Sequence, residues 1–481
     1  MTVAIDLPTQ RLTPDEERIL GILRGKITRY QKKNSKKIAL FEGEFVADQI
    51  GIAVPPMLRD WPVRIGWGGT IIRTNAGRSR FLDFQAPGAD DLGLRDIVAQ
   101  NRLRTKSDRV MESMLVCGTT FVVVGKDTRG RVAVEQRSPS TVAVIEDPVT
   151  GDPTSGLVQF RNEFGTVVAE NLYLPNRSVY LERKSRKLVV VNVDDHNLGE
   201  IPVTQFKHQP NDSHPNGRSL ITAPIEYTIS AAARTMLGME VHREFFSAPQ
   251  RAALGADPES FGFEEGMTAL QRYELGWSQV MGRLNIVPPA EDGAQNPTMH
   301  EFKPSPPTSY IEIMKYLSLM VASDSGLPAS YFGIMTDNPA SSDSIKALES
   351  QVEQRAIERM RECDYYWLNV ARKSILWRDG EVDDDALAQV HVEWASPSTP
   401  TPSAAADAAM KLVAAQILPP ESKVTLDRIG LSDVEQKQLE EDRRKSGLAQ
   451  ILAGLSQASE SAAADLQVHN LASRRVDDDT D

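Results

Sequence analysis

The sequence predicts an α+β chain, and three observations carry that expectation. Apolar residues recur at helical spacing near the N-terminus and again beyond residue 218. Between Gly118 and about Val193 the period shortens to that of strands, with β-branched runs split by turn residues. The longest helical pattern then runs for about 35 residues, beyond the usual length of a globular helix.

Taken in order, "LTPDEERILGILRGKITRYQKKNSKK" opens the chain with a helix. Thr13 suits its cap, Pro14 its first position, and Asp15, Glu16 and Glu17 its dipole. Its basic tail, Lys32 to Lys37, reads as a solvated face. A mixed segment punctuated by Pro55 and Pro56 comes next. "GTTFVVVGKDTRGRVAVEQRSPSTVAVIED" holds three strands, and the stretch to Asp195 extends them into an antiparallel sheet. Residues 205–218, "QFKHQPNDSHPNGR", read as a loop or linker. Helical spacing returns at Ile225, Ile229, Ala232 and Met236, and Pro249 ends it. Residues 250–304 are short, Gly- and Pro-rich pieces that fit a small α/β lobe inserted before a second helix, "PTSYIEIMKYLSLMVASDSG".

The long rod comes after it. Ile345, Leu348, Val352, Ala356, Met360, Cys363, Trp367 and Val370 repeat at helical spacing, with no Gly or Pro until Gly380. Asp343 or a neighbouring serine suits its cap. Its length is mechanical: it ties one part of an assembly to another. Beyond it lie two helices, "SAAADAAMKLVAAQILPPES" and "LSDVEQKQLEEDRRKSG", the second opened by a Ser432–Glu435 capping box, and then an acidic tail. The chain carries no internal repeat.

The 481 residues exceed one ordinary core, so several domains or an elongated chain are expected. A net charge of −12 argues against a coat for nucleic acid, which needs a basic surface. It leaves room for a protein that lets a polyanion pass without sticking. Cys117 and Cys363 lie far apart in apolar stretches and read as buried free thiols in a reducing compartment. "MTVAIDLPTQ" lacks the features of a signal peptide, and no apolar run approaches the ~18 residues of a membrane span. Synthesis and assembly in a cytoplasm are the expectation.

Motifs of catalysis are missing. There is no GxxxxGK[ST], HExxH, CxxC pair or GxSxG elbow. His208 and His214 share a loop, and His196 follows Asp194 and Asp195; all three histidines read as solvated loop residues. His242 reads as a surface or inter-helix contact. No catalytic residue, metal ligand or cofactor is nominated. Within the inserted lobe, Glu264 and Glu265 of "FEEGM" and Glu291 and Asp292 of "AEDG" offer a docking surface.

Three segments carry a resemblance. They are "FEGEFVADQIGIAVPPMLRDWPVRIGW", "NGRSLITAPIEYTISAAARTMLGMEVHREFFSAPQRAALG" and "GLPASYFGIMTDNPASSDSIKALESQVEQRA". In their order and spacing the chain resembles the portal proteins of tailed bacteriophages, in the Gp6-like branch. The resemblance implies a portal fold: a β-rich wing, a two-helix stem, a small α/β clip, a long spine helix and an α-helical crown. It places the wing at 1–218, the first stem helix at 219–249 and the clip at 250–304. The second stem helix falls at 305–332, a tunnel loop at 333–342, the spine and wing return at 343–399, and the crown and acidic tail at 400–481.

It also implies a homo-oligomeric ring, by family habit a dodecamer, at the portal vertex of the virion capsid. Terminase large subunit, head-completion or adaptor proteins, and major capsid and scaffold proteins are the implied partners, with double-stranded DNA passing through. No membrane is implied. Thr336, Asp337, Asn338, Ser341 and Ser342 would face that DNA: small, polar, uncharged or acidic side chains do not trap phosphate. A closed ring needs two different surfaces per subunit, and pattern alone locates neither. Two rivals stand beside this reading. One is a hydrolase or transferase centred on Asp194, Asp195 and His196, a compact monomer or dimer with a pocket; the other is a capsid-associated scaffold.

Overall fold

The computed structural model describes residues 11–46, 63–86, 91–184, 187–246, 251–254, 264–280, 298–301, 306–333, 342–398, 402–432 and 434–445. The chain forms two compact units, Met1–Pro397 and Ser398–Asp481. In the first, α1 (Pro14–Glu42), α2 (Trp67–Gly77), β1 (Phe81–Gln85), α3 (Leu94–Asn101) and α4 (Leu103–Cys117) precede a run of strands. The strands are β2 (Thr119–Lys126), β3 (Val132–Arg137), β4 (Val142–Glu146), β5 (Pro153–Arg161), β6 (Val167–Leu174), β7 (Arg177–Lys184), β8 (Lys187–Asp194) and β9 (Val203–Lys207). Then come α5 (Ala223–Phe246), β10 (Arg251–Leu254), α6 (Ala269–Val280), β11 (Thr298–Glu301), α7 (Thr308–Ser325), α8 (Ser342–Asp379), α9 (Asp384–Leu387) and β12 (His391–Trp394).

Helix α1 begins with a reciprocal cap. Glu16 N–H donates to the Thr13 hydroxyl, and Thr13 N–H donates to the Glu16 carboxylate at 2.7 Å. Its apolar face, Leu20, Leu23 and Ile27, buries against Ala143, Leu157, Leu172, Val179 and Leu181 of the antiparallel sheet β4-β5-β6-β7-β8. Arg24 pairs with the buried Glu170 of β6, which also accepts from Gln159, so this buried carboxylate is well bonded. The basic tail of α1 is only partly the solvated face the composition predicts. Lys37 is half-buried, and desolvation lowers its pKa.

On its other face the five-stranded sheet packs against the three-stranded sheet β3-β2-β9 through Phe121, Val142, Val158, Ile201 and Val203. Both faces are therefore covered, which is why β5 reads as a nearly unbroken buried run. Strand β9 lies partly inside the stretch 205–218 that its composition marks as a loop. Gln205, Phe206 and Lys207 pair with β2, and the loop begins only after them. His208 corrects the same expectation. It is buried, and its Nδ1 donates to the Arg218 carbonyl at 2.7 Å. Nearby, Gly217 (φ 84°) and Gly118 (φ 83°) stand backbone to backbone, and a Cβ on Gly217 would fall inside the Gly118 carbonyl. This contact explains the glycine of "NGRS".

Burial lowers the His208 pKa to about 4, below the usual histidine value. The unfolded chain therefore takes up this proton more readily than the folded one. His208 leaves stability intact above about pH 6.5 and erodes it as pH falls from there towards 4, by up to about 3 kcal/mol. The drop in denaturation midpoint between pH 7 and pH 4.5 is expected to be larger in wild type than in His208→Gln. Equal drops would clear His208 of the effect.

The main core gathers around α8. Val352, Ala356, Met360, Cys363, Trp367 and Val370 are buried along it, as the spacing predicts; the side chains of Ile345 and Leu348 lie outside the described residues. Trp367 stacks on Phe81 of β1 at 4.5 Å and meets Phe206 of β9 edge-on at 5.2 Å. The rod is thus more than a mechanical tie: most of its length is the central helix of the folded body. Gly380 ends it in the left-handed conformation. Cys117 and Cys363 are free and buried, and burial raises both thiol pKa values.

Helices α5 and α7 pack together, with Ile225, Ile229, Ala232, Ala233 and Leu237 buried on α5. Met236, expected in that face, is only half-buried, and Leu237 takes the inward place. His242 of α5 meets Tyr310 of α7 at 5.5 Å, the inter-helix contact its position predicts. The second unit holds α10 (Pro402–Ala414), α11 (Lys423–Ile429) and a helical stretch over 434–445. Ser432 and Glu435 form the expected box, Ser432 N–H donating to Glu435 at 2.8 Å and Glu435 N–H to Ser432 Oγ at 3.3 Å. No helix among the described residues is long and apolar enough to cross a membrane.

Candidate functional site

The polar segment between α7 and α8 is the first candidate. Thr336, Asp337, Asn338 and Ser341 lie outside the described residues, and Ser342 is the first residue of α8. The chain that leads into that segment is fixed by named contacts. α7 closes at Gly326 (φ 67°), and a 3-10 turn, Ala329–Phe332, succeeds Pro328. Phe332 is buried edge-on against Trp67 of α2 at 6.0 Å. Arg355, three residues beyond Val352 on α8, reaches back and donates to the Ser325 carbonyl at 2.9 Å. Its guanidinium fills the space that a side chain at residue 326 would need.

One turn further along α8, Arg359 is buried, and no carboxylate among the described residues bonds to it. It donates to the Asn75 carbonyl and Ser79 Oγ at 2.9 Å each, and to Asn75 Oδ1 at 3.1 Å. Burial pulls its pKa down to about 10, so it remains a cation at neutral pH. Outside it, Arg78 pairs with Glu349 at 3.5 Å and lies 3.9 Å from Glu353. The α7 end and the α2 end are therefore tied by arginines to the stretch of α8 from Glu349 to Arg359. Spacing does not reveal these residues. Arg355 and Arg359 sit an i, i+4 step apart beside the apolar stripe, and the neutral acceptors of Arg359 are some 280 positions away in the chain.

The inserted lobe contributes β10 and β11, paired antiparallel from Arg251↔Glu301 to Leu254↔Thr298, and α6. Glu264 and Glu265 are exposed just before α6; Glu291 and Asp292 lie outside the described residues.

The rival centre is split by the fold. Asp194 and His196 line a cleft of about 460 Å³ between β2, β6, β7 and the end of α8, with Lys126, Tyr173, Tyr180 and Asp379. Asp195 instead faces Arg177 at 3.6 Å. His196 accepts at Nδ1 from Leu198 N–H at 3.3 Å, and its ring lies 5.3 Å from Trp377. Desolvation lowers its pKa. No serine, threonine or cysteine lines the cleft, so His196 has no hydroxyl or thiol of those residues to activate there. Among the described residues no cluster of three His, Cys, Asp or Glu could hold a metal.

On the α5–α7 pair, the surface is apolar where solvent would favour charge. Ile313 (47% exposed), Tyr316 (64%) and Leu319 (52%) are exposed on α7. Tyr227 of α5 is exposed as well.

The chain is similar in sequence to known proteins. The family described as "Phage portal protein, SPP1 Gp6-like" matches residues 82–447. The portal protein of Mycobacterium phage D29 is 27% identical over 386 residues, 77% of each chain. That of Mycobacterium phage L5 is 25% identical over 397 residues, 79% of each. Among solved structures, a chain from the virion of a native gene transfer agent particle aligns with a TM-score of 0.44 and 13% identity, covering 82% of this chain and 94% of that one.

Proposed function

Because the chain belongs to the SPP1 Gp6-like family of phage portal proteins, a structural family of the virion, we propose that copies of it close into a ring around a channel for the genome. The exposed apolar stripe on α7 carries this reading. A row of Ile313, Tyr316 and Leu319 costs solubility in a lone chain and is covered when another copy packs against it. In this reading α5 and α7 are the stem (219–249 and 305–332), α8 is the spine (343–399 with its return), and 1–218 is the wing. The lobe at 250–304 is the clip, and Glu264, Glu265, Glu291 and Asp292 offer terminase and later head-completion or adaptor proteins a place to dock. Residues 400–481 are the crown and acidic tail.

Thr336, Asp337, Asn338, Ser341 and Ser342, in the segment between α7 and α8, would face the DNA. The buried Phe332 and the Arg355 bond to the Ser325 carbonyl hold the chain that leads into it. Lysines in place of Asp337 and Asn338 would put cations against phosphate and slow its movement. Asp337→Lys with Asn338→Lys is expected to leave ring assembly intact and cut packaged-genome yield at least tenfold. Normal yields would remove this segment from the channel.

The ring itself is tested by negative-stain microscopy and native mass on one sample of purified protein. Rings with a central hole, at a mass near a dozen chains, support the reading. A uniform monomer across salt and concentration counts against it.

A further inference from the structure

The five-stranded sheet is electrically polarised along its strands. Because β4 to β8 run antiparallel in chain order, the β4–β5 and β7–β8 hairpin tips lie at opposite ends, about 25 Å apart for strands of this length. The β7–β8 end carries Arg183, Lys184 and Lys187, and the neighbouring β5–β6 tip adds Arg161; Glu163 and Glu182 are its acidic residues. Arg161 bonds Gln159 and the Gly165 carbonyl, and Arg183 bonds the Val167 carbonyl; none of the four cations forms an ion pair among the described residues. The β4–β5 end carries Asp147 and Asp152. Asp147 accepts from the Val149 and Thr150 N–H groups, which hold its carboxyl below the usual range, and Asp152 accepts from Tyr365. Glu146 there is already paired with Lys207.

Each end also exposes one large apolar side chain at a hairpin tip. Phe164 is 82% exposed at the basic end, and Val149 is 90% exposed at the acidic end. Neither side chain is covered in the lone chain. In a chain whose net charge is −12, these four cations share one end of one sheet with no ion pair among the described residues.

A ring of identical copies is built on a heterologous contact, in which one surface of a copy meets a different surface of the next. Two ends of one sheet, opposite in charge and each bearing an apolar knob, are such a pair. We propose that the basic end of the sheet, Arg183, Lys184 and Lys187 with Phe164, docks against the acidic β4–β5 tip, Asp147 and Asp152 with Val149, of the neighbouring copy. This contact rests on the ring reading above and adds to the stem contact. It sets the direction of the ring, because like ends repel.

The test is a charge swap in the full chain. One variant carries Lys184→Glu and Lys187→Glu; the other carries Val149→Lys and Asp152→Lys. All four positions are at the surface, so each variant is expected to keep the wild-type unfolding midpoint. Each alone is expected to lose roughly tenfold in ring fraction at about 0.1 M salt, since its two ends now carry like charge. An equimolar mixture is expected to regain rings in which the variants alternate, visible by native mass when one is isotope-labelled. Unchanged rings from both variants overturn the contact and leave the ring reading standing. So does a mixture that fails to recover. Intact rings with weakened retention of duplex DNA in the Lys184→Glu, Lys187→Glu variant would assign the basic end to nucleic acid and overturn the contact. A wild-type chain that stays monomeric at every concentration overturns the ring reading and the contact with it.

Discussion

Arg359→Ala is expected to lower the stability of the first unit by about 3–5 kcal/mol, a large share of any domain's total. Three acceptors lose their donor at once: the Asn75 carbonyl, Asn75 Oδ1 and Ser79 Oγ, all in a buried pocket. Each unsatisfied buried group costs about 1–3 kcal/mol, and the missing side chain leaves a cavity besides. One term opposes them. Arg359 is a buried cation bonded only to neutral acceptors, and its lowered pKa records the cost of that burial. Arg359→Met separates the two. It keeps most of the volume and removes the charge, so its loss is expected to be about half that of alanine. Denaturant midpoints measure both. A loss below about 1 kcal/mol for alanine would mean that the tie between α8 and α2 is dispensable.

Local chemistry was the legible part of this fold. Thr13 with Glu16 and Ser432 with Glu435 mark helix starts because each cap is complete within four residues. The apolar stripe from Val352 to Val370 is legible because burial repeats with every turn of α8. What stayed hidden depends on partners far away in the chain. β9 is short and runs into a Pro- and Asn-rich loop, so its pairing with β2 is invisible from its own residues. His208 sits in that same polar stretch, and its burial goes with the Gly118–Gly217 contact, which joins segments about a hundred residues apart.

The candidate site was half legible in the same sense. The sequence marks a polar segment between two helices, but the arginines that join those helices and α2 look like surface charge. Arg355 and Arg359 lie next to the apolar stripe, and only the positions of Ser325, Asn75 and Ser79 show where they reach. Composition also placed His196 with Asp194 and Asp195, whereas the fold sends Asp195 to Arg177 and leaves the other two in a cleft without a serine, threonine or cysteine nucleophile.

Ile313→Asp combined with Tyr316→Asp is expected to convert rings to monomers while leaving the monomer folded. Spacing cannot separate this stripe from a core stripe, because α7 is apolar on nearly every side; only its exposure does so. Covering each of these side chains removes about 100 Å² of apolar surface from water, worth on the order of 2–3 kcal/mol at about 25 cal/mol/Å². Association entropy offsets part of that gain. Aspartate reverses the sign, since a carboxylate trapped at the contact without a partner costs several kcal/mol. The penalty recurs at every contact around the ring, so closure is lost before folding is. Ile22→Asp supplies the comparison, because Ile22 is exposed on α1, on a different element from the stripe, and its replacement is expected to leave rings unchanged. Native mass reads all three proteins. Rings persisting in the double aspartate variant would show that α7 faces solvent in the assembly and would move the subunit contact elsewhere on the chain.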